Sequence, residues 1–387
     1  MSESPQPAPS LPNPLRDLHE KNNAEFQPYA AVEIVSTFGE PQAEYASIRK
    51  AAAMIDEPQR GILELSGADR LSFLNNLLTN ATWDKATRAG LSAGQGVYAF
   101  FLNGKGRIVT DVNVIELGDR TWLEMDGRLV ESTRAAFDKF LFREQVKMTS
   151  RIGSLHSLAI HGPVSPKLLE EVCEPTFPPL KPGQSFAGKM FGVDLVIWRD
   201  DPCAVLGFHI VVESASAEEI WTNLLLRFHE NQEHGRRRLR PAGWAAFNAC
   251  RIEGGRPIFG IDFDDSVLPA ETGQFDRAVS ITKGCYLGQE IVARMHARGQ
   301  VARQLVGLRI NEDALPMAGA LLYDDADNQI GGITSSTLSP VLSNACICLG
   351  IVKKAFIPVG SVVNVPAEGG MRKATVVELP FVKPLPA

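Results

Sequence analysis

The sequence is poor in cysteine and in aromatic residues, and it has no long apolar run. Its 387 residues include six cysteines and 7% aromatic residues, and the cysteines are scattered instead of dense as in a disulfide scaffold. No apolar stretch approaches the roughly 20 residues that a membrane-spanning helix needs. These features favour a protein of the reducing cytoplasm with no membrane partner.

Strong charge and metal-binding motifs are also missing. The formal net charge of -6 and the pI near 5.7 give no general attraction for nucleic acid, because nucleic acid is a polyanion. No His-Glu-x-x-His or paired Cys-x-x-Cys pattern occurs, so we expect no resident metal. Cys346 and Cys348 fall on one face of a predicted strand, but two thiolates are an incomplete metal site, and we interpret them as structural.

The order of predicted elements divides the chain into a tail, two similar modules and a strand-rich end. The proline-rich start predicts disorder. Each module shows the order strand, helix, strands, helix, which predicts an α+β fold with two βαββα-type antiparallel units; short strands with turns between them then predict a small C-terminal β-barrel. The predicted division is a disordered tail at 1–30, a first α+β domain at 31–153 that is completed by about 241–300, a second α+β domain at 154–240 and the barrel domain at 301–387.

One stretch combines a cysteine with features that activate thiols. In ITKGCYLGQEIVARMHARGQ, residues 281–300, Cys285 follows Lys283 and precedes a predicted helix that begins near Leu287. The N–H groups of a helix N-terminus and a nearby cation both favour thiolate over thiol, so Cys285 is a candidate reactive thiol. The alternative is a small buried cysteine in a loop that its glycines shape.

Asp111 is a second candidate catalytic residue. It lies in the strand-like run RIVTDVNVIEL, where the same strand face carries Val109, Asn113 and Ile115. Burial among these groups would raise the pKa of the carboxyl, and a neighbouring arginine would lower it. Either shift suits proton transfer or the stabilisation of an iminium ion. A solvent-facing aspartate on an edge strand is the alternative.

Several motifs resemble those of known families. KGCYLGQEIVAR resembles the Lys-Gly-Cys-Tyr-x-Gly-Gln-Glu signature of the YgfZ family, folate-binding proteins that assist the assembly or repair of iron–sulfur enzymes. Three further segments are similar to the wider superfamily of the glycine-cleavage T-protein, a tetrahydrofolate-dependent aminomethyltransferase; they are GVYAFFLNGKGRIVTDVNV, CRIEGGRPIFGIDFDDSVLPAETG and GGITSSTLSPVLSNACICLGIV. The resemblance spans roughly residues 46–382 and implies a three-lobed ring around a folate site.

The resemblance also implies roles for individual residues. Asp111 matches the catalytic aspartate of the T-protein, Tyr98 matches a ligand-contacting tyrosine, and Arg251 matches the arginine of an Arg-x-Glu-x-Gly motif. The T-protein grips the pterin with a glutamate that is Val205 here, so a bound folate must be held differently. The signature segment adds three candidate cofactor-binding residues, Lys283, Tyr286 and Gln289.

Three functions follow from these matches, all with tetrahydrofolate or a one-carbon derivative as cofactor. The first is an accessory protein that supports the assembly or repair of iron–sulfur cluster enzymes through the thiol of Cys285, with client or assembly proteins as partners. The second is an aminomethyltransferase of the T-protein kind, which uses Asp111 and a lipoyl-bearing donor protein. The third is a related folate-dependent demethylase. The missing glutamate and the Lys-Gly-Cys-Tyr signature favour the first.

Overall fold

The computed structural model describes residues 11–30, 32–230, 238–298 and 301–384. The helices are α1 Arg16–Lys21, α2 Pro41–Lys50, α3 Arg70–Leu77, α4 Val130–Asp138, α5 Ser165–Val172, α6 Ala217–Leu225, α7 Trp244–Glu253, α8 Phe275–Ala278 and α9 Gln289–Arg298. The strands are β1 Glu25–Tyr29, β2 Val32–Thr37, β3 Ala53–Asp56, β4 Arg60–Ser66, β5 Trp83–Asp84, β6 Ala89–Gly90, β7 Gly96–Leu102, β8 Ile108–Glu116, β9 Arg120–Asp126, β10 Lys147–Ser150, β11 Leu155–His161, β12 Cys173–Glu174, β13 Ser185–Met190, β14 Val193–Arg199, β15 Gly207–Glu213, β16 Arg240–Pro241, β17 Arg303–Ile310, β18 Leu321–Tyr323, β19 Gln329–Ser339, β20 Ala345–Lys353, β21 Val362–Ala367 and β22 Gly370–Val377.

The first sheet has five antiparallel strands in the order β10-β4-β9-β8-β7. Side chains alternate between its two faces, as in any strand. One face is apolar and is buried under α3 and α4, where Phe73 and Phe137 meet edge to face. The opposite face is apolar around Ile62 and Trp122 and polar around Asp111. This second face points toward the other sheet.

The second sheet has seven strands in the order β12-β13-β14-β15-β11-β3-β16, and its β3–β16 pair is parallel. One face packs on α5 and α6 around the buried Trp221. The other face packs on the first sheet, where Val196 and Val211 meet Ile62 and Trp122. The helices therefore lie outside and the two sheets face each other inside.

A closed barrel of six strands follows, in the order β17-β20-β19-β18-β21-β22. Cys346 and Cys348 are buried in its apolar interior. The predicted α+β class, with two antiparallel modules and a C-terminal barrel, is confirmed. The domain boundaries stay a prediction. One strand of the second sheet, β3, comes from the part of the chain that we assigned to the first domain.

The prediction of a disordered tail was wrong for residues 11–30. They form α1 and β1, and Leu11 and Leu15 are buried in apolar clusters. His19 on α1 is also buried, with its Nε2 2.9 Å from Oδ2 of Asp56 at the end of β3. The proline-rich composition suggested that this segment could not compensate the conformational entropy lost on folding. Burial of two leucines and a paired histidine compensates that loss. The first ten residues lie outside the described part of the chain.

Candidate functional site

A polar cavity lies between the facing sides of the two sheets. The first sheet contributes residues of β4, β7, β8 and β9, the second contributes residues of β14 and β15, and the chain after α7 closes the space. Its empty volume, including the open mouth, is about 650 Å³. The polar lining includes Gln59, Tyr98, Asp111, Trp198, His209 and Arg277.

A second chamber of about 630 Å³ adjoins this cavity. The two share a wall, since five side chains line both; these are Tyr98, Asn113, Trp198, Asp200 and Arg277. The second chamber is otherwise bounded by backbone-rich segments near Gly96 and Gly183. Arg277 stands at the junction, with its guanidinium carbon 3.9 Å from the centroid of the Tyr98 ring. A ligand in the cavity would therefore lie beside a cation stacked on an aromatic ring.

Asp111 is a partly buried carboxyl in the cavity wall that accepts a hydrogen bond but forms no salt bridge within the described residues. The hydroxyl of Tyr98 donates a hydrogen bond of 2.9 Å to Oδ2 of Asp111 across the β7–β8 pair. Burial raises the pKa of Asp111, although Arg60 and the Tyr98 hydroxyl oppose that shift. Among the described residues, no cationic side chain forms a salt bridge with Asp111. The carboxyl is oriented but not neutralised.

The other charged groups around the cavity are paired. The pairs are Arg60 Nη2 with Glu124 Oε2 at 2.7 Å, His209 Nδ1 with Glu57 Oε2 at 2.7 Å, and Asp200 Oδ1 with both Arg256 Nη1 and Arg277 Nη2 at 3.1 Å. Burial disfavours charge on His209, but the Glu57 carboxylate prevails and raises the pKa of His209. Each of these charged groups already has a partner of opposite charge, so Asp111 is the carboxyl best placed to interact with a ligand.

Two buried polar atoms of the cavity wall have no hydrogen-bond partner among the described residues. They are Oε1 of Gln59 and Nε1 of Trp198. The Trp198 ring stacks on His209, with centroids 4.2 Å apart and planes 12° apart. Buried polar groups are paired in nearly all native structures, so each unpaired group in a cavity wall indicates a contact that a ligand or water completes.

The predicted signature residues lie elsewhere, in the loop before α9. Nζ of Lys283 donates to the carbonyl oxygens of Asn75, at 2.6 Å, Asn80, at 3.0 Å, and Leu78. These carbonyls belong to the C-terminal end of α3 and the residues after it, where a lysine commonly caps a helix. Burial, with repulsion from Lys85, lowers the pKa of Lys283 to about 7. The three carbonyls oppose this shift, because they favour the ammonium form.

The rest of this loop does not line the cavity, although Tyr286 belongs to the same apolar cluster as Tyr98. Cys285 is exposed, Tyr286 is buried in an apolar cluster, and Gln289 begins α9. Gly288 has a φ of +80°, and a Cβ there would lie 2.8 Å from the carbonyl oxygen of Asn103 in the β7–β8 turn. The loop therefore packs on the tip of the hairpin that carries Asp111 in its middle. None of the four predicted residues lines either chamber; they are Lys283, Cys285, Tyr286 and Gln289.

Arg251 occupies a third place and does not line the cavity either. It is fully buried on α7, where its guanidinium forms an ion pair with Asp262 and donates to Ser335 Oγ at 2.6 Å and Asn248 Oδ1 at 2.9 Å. Because Ser335 lies on β19, Arg251 joins α7 to the barrel. Val205 is buried in an apolar cluster, so its position offers no polar contact in place of glutamate.

Sequence reasoning missed the part of the site that the second sheet supplies. Trp198 on β14 and His209 on β15 are directly opposite each other in the strand register. A signal was present, because alternation along VDLVIWR and GFHIVVE puts both residues on the face that the helices do not cover. Gln59, in the turn between β3 and β4, had no comparable signal.

The remaining observations concern membranes, metals and thiols. Within the described ranges, no helix has the length and apolar character to cross a membrane. In the same ranges, no group of three or more His, Cys, Asp or Glu side chains is placed to hold a metal ion. All six cysteines are free thiols, and Cys285 is the exposed one.

Comparisons with known proteins match nearly the whole chain. The profile of the GCVT N-terminal domain matches residues 15–283, and that of the glycine cleavage T-protein C-terminal barrel domain matches residues 303–383. Similar proteins include the aminomethyltransferases of Thermoanaerobacter pseudethanolicus, 25% identical over 96% of this chain and 97% of that protein, and of Moorella thermoacetica, 28% identical over 87% and 88%. The crystal structure of glycine cleavage system aminomethyltransferase T from Bartonella henselae shares the fold, with a TM-score of 0.84 and 24% identity over 97% of this chain and 99% of that one. The chain belongs to the glycine cleavage T-protein family.

Proposed function

We propose that this protein binds tetrahydrofolate, or a one-carbon derivative of it, in the cavity between the sheets and transfers a one-carbon unit there. The observation that carries the proposal is Asp111, an enclosed carboxyl that Tyr98 orients and that forms no salt bridge within the described part of the chain. The similar proteins named aminomethyltransferases support this reaction class. An aminomethyl group is accordingly the first one-carbon unit to test, and a demethylase reaction is the second.

The residues present fit a reduced pterin cofactor. Gln59 and Trp198 offer an unpaired acceptor and an unpaired donor in the cavity wall, and a pterin ring carries both kinds of group on one edge. The rings of Trp198 and Tyr98 offer flat apolar surface beside these groups. Tetrahydrofolate, when bound, supplies the nucleophilic nitrogen that takes up the carbon.

The chain contributes orientation and electrostatics. With the cofactor bound, Asp111 would orient its reacting nitrogen by accepting a hydrogen bond and would stabilise positive charge at the transferred carbon. Its raised pKa brings its proton affinity closer to the working pH, as a group that holds and releases a proton requires. Burial and the nearby Asp111 raise the pKa of Tyr98, so its hydroxyl keeps its proton and continues to donate to Asp111.

The first test is a calorimetric titration of the purified protein with tetrahydrofolate. We expect saturable binding, with folic acid and a pterin-free glutamate compound as controls that report on the ring oxidation state and on the tail. A transfer assay with an aminomethyl-loaded lipoyl carrier protein would then measure ammonia release and the one-carbon-loaded folate. Absence of tetrahydrofolate binding at millimolar ligand would overturn the proposal.

A second candidate function is the accessory role for iron–sulfur enzymes, in a reducing cytoplasm. The observation that favours it is Cys285, the exposed thiol, which lies four residues before the start of α9. An exposed thiol near a helix N-terminus suits transient mixed-disulfide or persulfide contact with a client or assembly protein.

One pair of variants separates the two functions. In cells that lack the native protein, Cys285→Ala should abolish support of iron–sulfur enzyme activity if the accessory role is correct, while Asp111→Asn should retain it. The transfer assay should give the opposite result for the same two variants. Full support by both variants would show that neither residue serves the accessory role.

A further inference from the structure

Gln59 and Trp198 each carry an unpaired polar atom, and neighbouring contacts hold the Trp198 ring and the Gln59 backbone in place. The Trp198 ring is stacked on His209, and Glu57 holds His209 at 2.7 Å. Gln59 lies in the tight turn between β3 and β4, where its own carbonyl oxygen accepts a 2.8 Å hydrogen bond from the backbone of Gly127. Both side chains are more than nine-tenths buried.

Burial without a partner has an energetic consequence. A buried donor or acceptor that has lost water and gained nothing destabilises the folded chain. Of the buried side-chain atoms that lack a partner among the described residues, those of Gln59 and Trp198 line the cavity, where a ligand can supply the partner. Gln59 and Trp198 both line the cavity, and one is an acceptor and the other a donor.

We propose that Trp198 and Gln59 are the residues that recognise the polar edge of the pterin ring. The indole N–H of Trp198 donates to the ring carbonyl oxygen, and the amide oxygen of Gln59 accepts from a ring N–H or amino group. This pair takes over the recognition that a glutamate would supply at the position of Val205, which is sealed in an apolar cluster. The inference rests on the proposed function, since it assumes a folate in this cavity.

Substitution of Trp198 or Gln59 should weaken ligand binding without a loss of stability, which is an uncommon combination of effects. Trp198→Phe keeps a ring for the stack on His209, and Gln59→Met keeps a side chain of similar length; each removes an unpaired polar group. The free protein should therefore keep or gain thermal stability, because no internal hydrogen bond is lost. Affinity for tetrahydrofolate should fall about tenfold or more, because the ligand group is left unpaired in the complex.

A matched control comes from a tryptophan whose N–H is already satisfied. Nε1 of Trp122 donates to Oε2 of Glu64 at 2.9 Å, and Trp122 lines neither chamber. Trp122→Phe should lower thermal stability and leave the affinity unchanged. The two tryptophan variants thus make the same chemical change and should give opposite results.

Nuclear magnetic resonance offers a readout that does not depend on affinity. The chain has five tryptophans, and the indole N–H signal missing from Trp198→Phe identifies Trp198. Saturating tetrahydrofolate should move that signal downfield as the hydrogen bond forms, while the Trp122 signal should stay in place.

Calorimetry and thermal unfolding on the full chain decide the matter. Weaker binding by Trp198→Phe and Gln59→Met at unchanged or higher stability, together with the downfield shift, would support the inference. Wild-type affinity in both variants, or an unmoved Trp198 signal at saturation, would overturn it and leave the proposed function standing. Absence of binding by the wild-type protein would overturn both.

Discussion

The β7–β8 hairpin contributes residues to the cavity, and the loop before α9 packs on its turn. The two regions are nevertheless built in different ways. In the cavity, side chains from two sheets face each other, and Asp111 is held by the hydroxyl of Tyr98. In the loop, backbone carbonyls hold Lys283, and the thiol of Cys285 points to solvent. An enclosed site suits a small ligand, whereas an exposed thiol suits contact with another macromolecule. The comparison teaches that two motifs of one sequence can serve separable tasks.

The largest effect should come from the centre of the cavity. Asp111→Asn removes the negative charge that we propose stabilises positive charge in the transition state. The rate of one-carbon transfer should fall about 100-fold, the typical loss when one electrostatic group of this kind is removed. Single-turnover transfer at saturating folate measures it. A rate within a few-fold of wild type would remove Asp111 from the reaction and weaken the contrast between the two regions.

A substitution in the loop before α9 should lower the stability of the protein and leave ligand binding unchanged. Lys283→Met leaves carbonyls of Asn75, Leu78 and Asn80 without their donor, and the free energy of unfolding should fall by about 1–3 kcal/mol. Urea unfolding measures this loss. Lys139→Met is the matched control, since Lys139 is exposed, and its effect should stay within about 0.5 kcal/mol. Tetrahydrofolate affinity should be the same in both variants, and a loss specific to Lys283→Met would connect the loop to the cavity.

The pH dependence of stability should distinguish Asp111 from an ordinary surface carboxyl. Because burial raises its pKa, the folded chain binds this proton more tightly than the unfolded chain does. The resulting stability is complete below the unfolded pKa of about 3.9 and is lost as the pH rises through the folded pKa. Asp111→Asn should therefore unfold at a higher temperature than wild type near neutral pH, and this advantage should shrink on acidification. A difference that does not vary with pH would contradict the assigned shift.

The smallest effect on the cavity should come from the exposed thiol. Brief treatment of the folded protein with iodoacetamide should add one label per chain, at Cys285, because the other five cysteines are buried. Peptide mass spectrometry locates the label. The labelled protein should bind tetrahydrofolate within about twofold of the untreated affinity, and a larger loss would mean that the thiol and the cavity are coupled.

Local patterns in the sequence predicted much of the fold. Alternation along RIVTDVNVIEL and helical spacing along ADRLSFLNNLLT correspond to β8 and α3. The strands β13 and β21 are hard to predict from local pattern because SFAGKM contains a glycine and VVNVPA a proline, and both residues are rare in strands. Asp69 precedes α3, where an aspartate often caps a helix, but its carboxylate accepts from the backbone N–H of Gln145 and does not cap α3.

The candidate site was harder to predict than the fold. Tyr98 was assigned by resemblance, and Asp111 by resemblance and by its strand pattern; the structure places both on adjacent strands of one hairpin. Trp198 and His209 face them from another sheet, and no local pattern encodes which sheet packs against which. Arg251 was assigned to the site by resemblance, whereas its burial beside Asp262 and Ser335 depends on the docking of the barrel.

The end of β3 links distant parts of the molecule through two neighbouring carboxylates. The carboxylate of Asp56 is hydrogen-bonded to His19 of α1. The next residue, Glu57, is hydrogen-bonded to His209, whose ring stacks on Trp198. α1 thereby contacts the strand end that leads into the cavity residue Glu57. We expect cleavage within α1 by a protease, or a fusion partner that pulls this helix away, to weaken the tetrahydrofolate binding that we propose before the sheets themselves unfold.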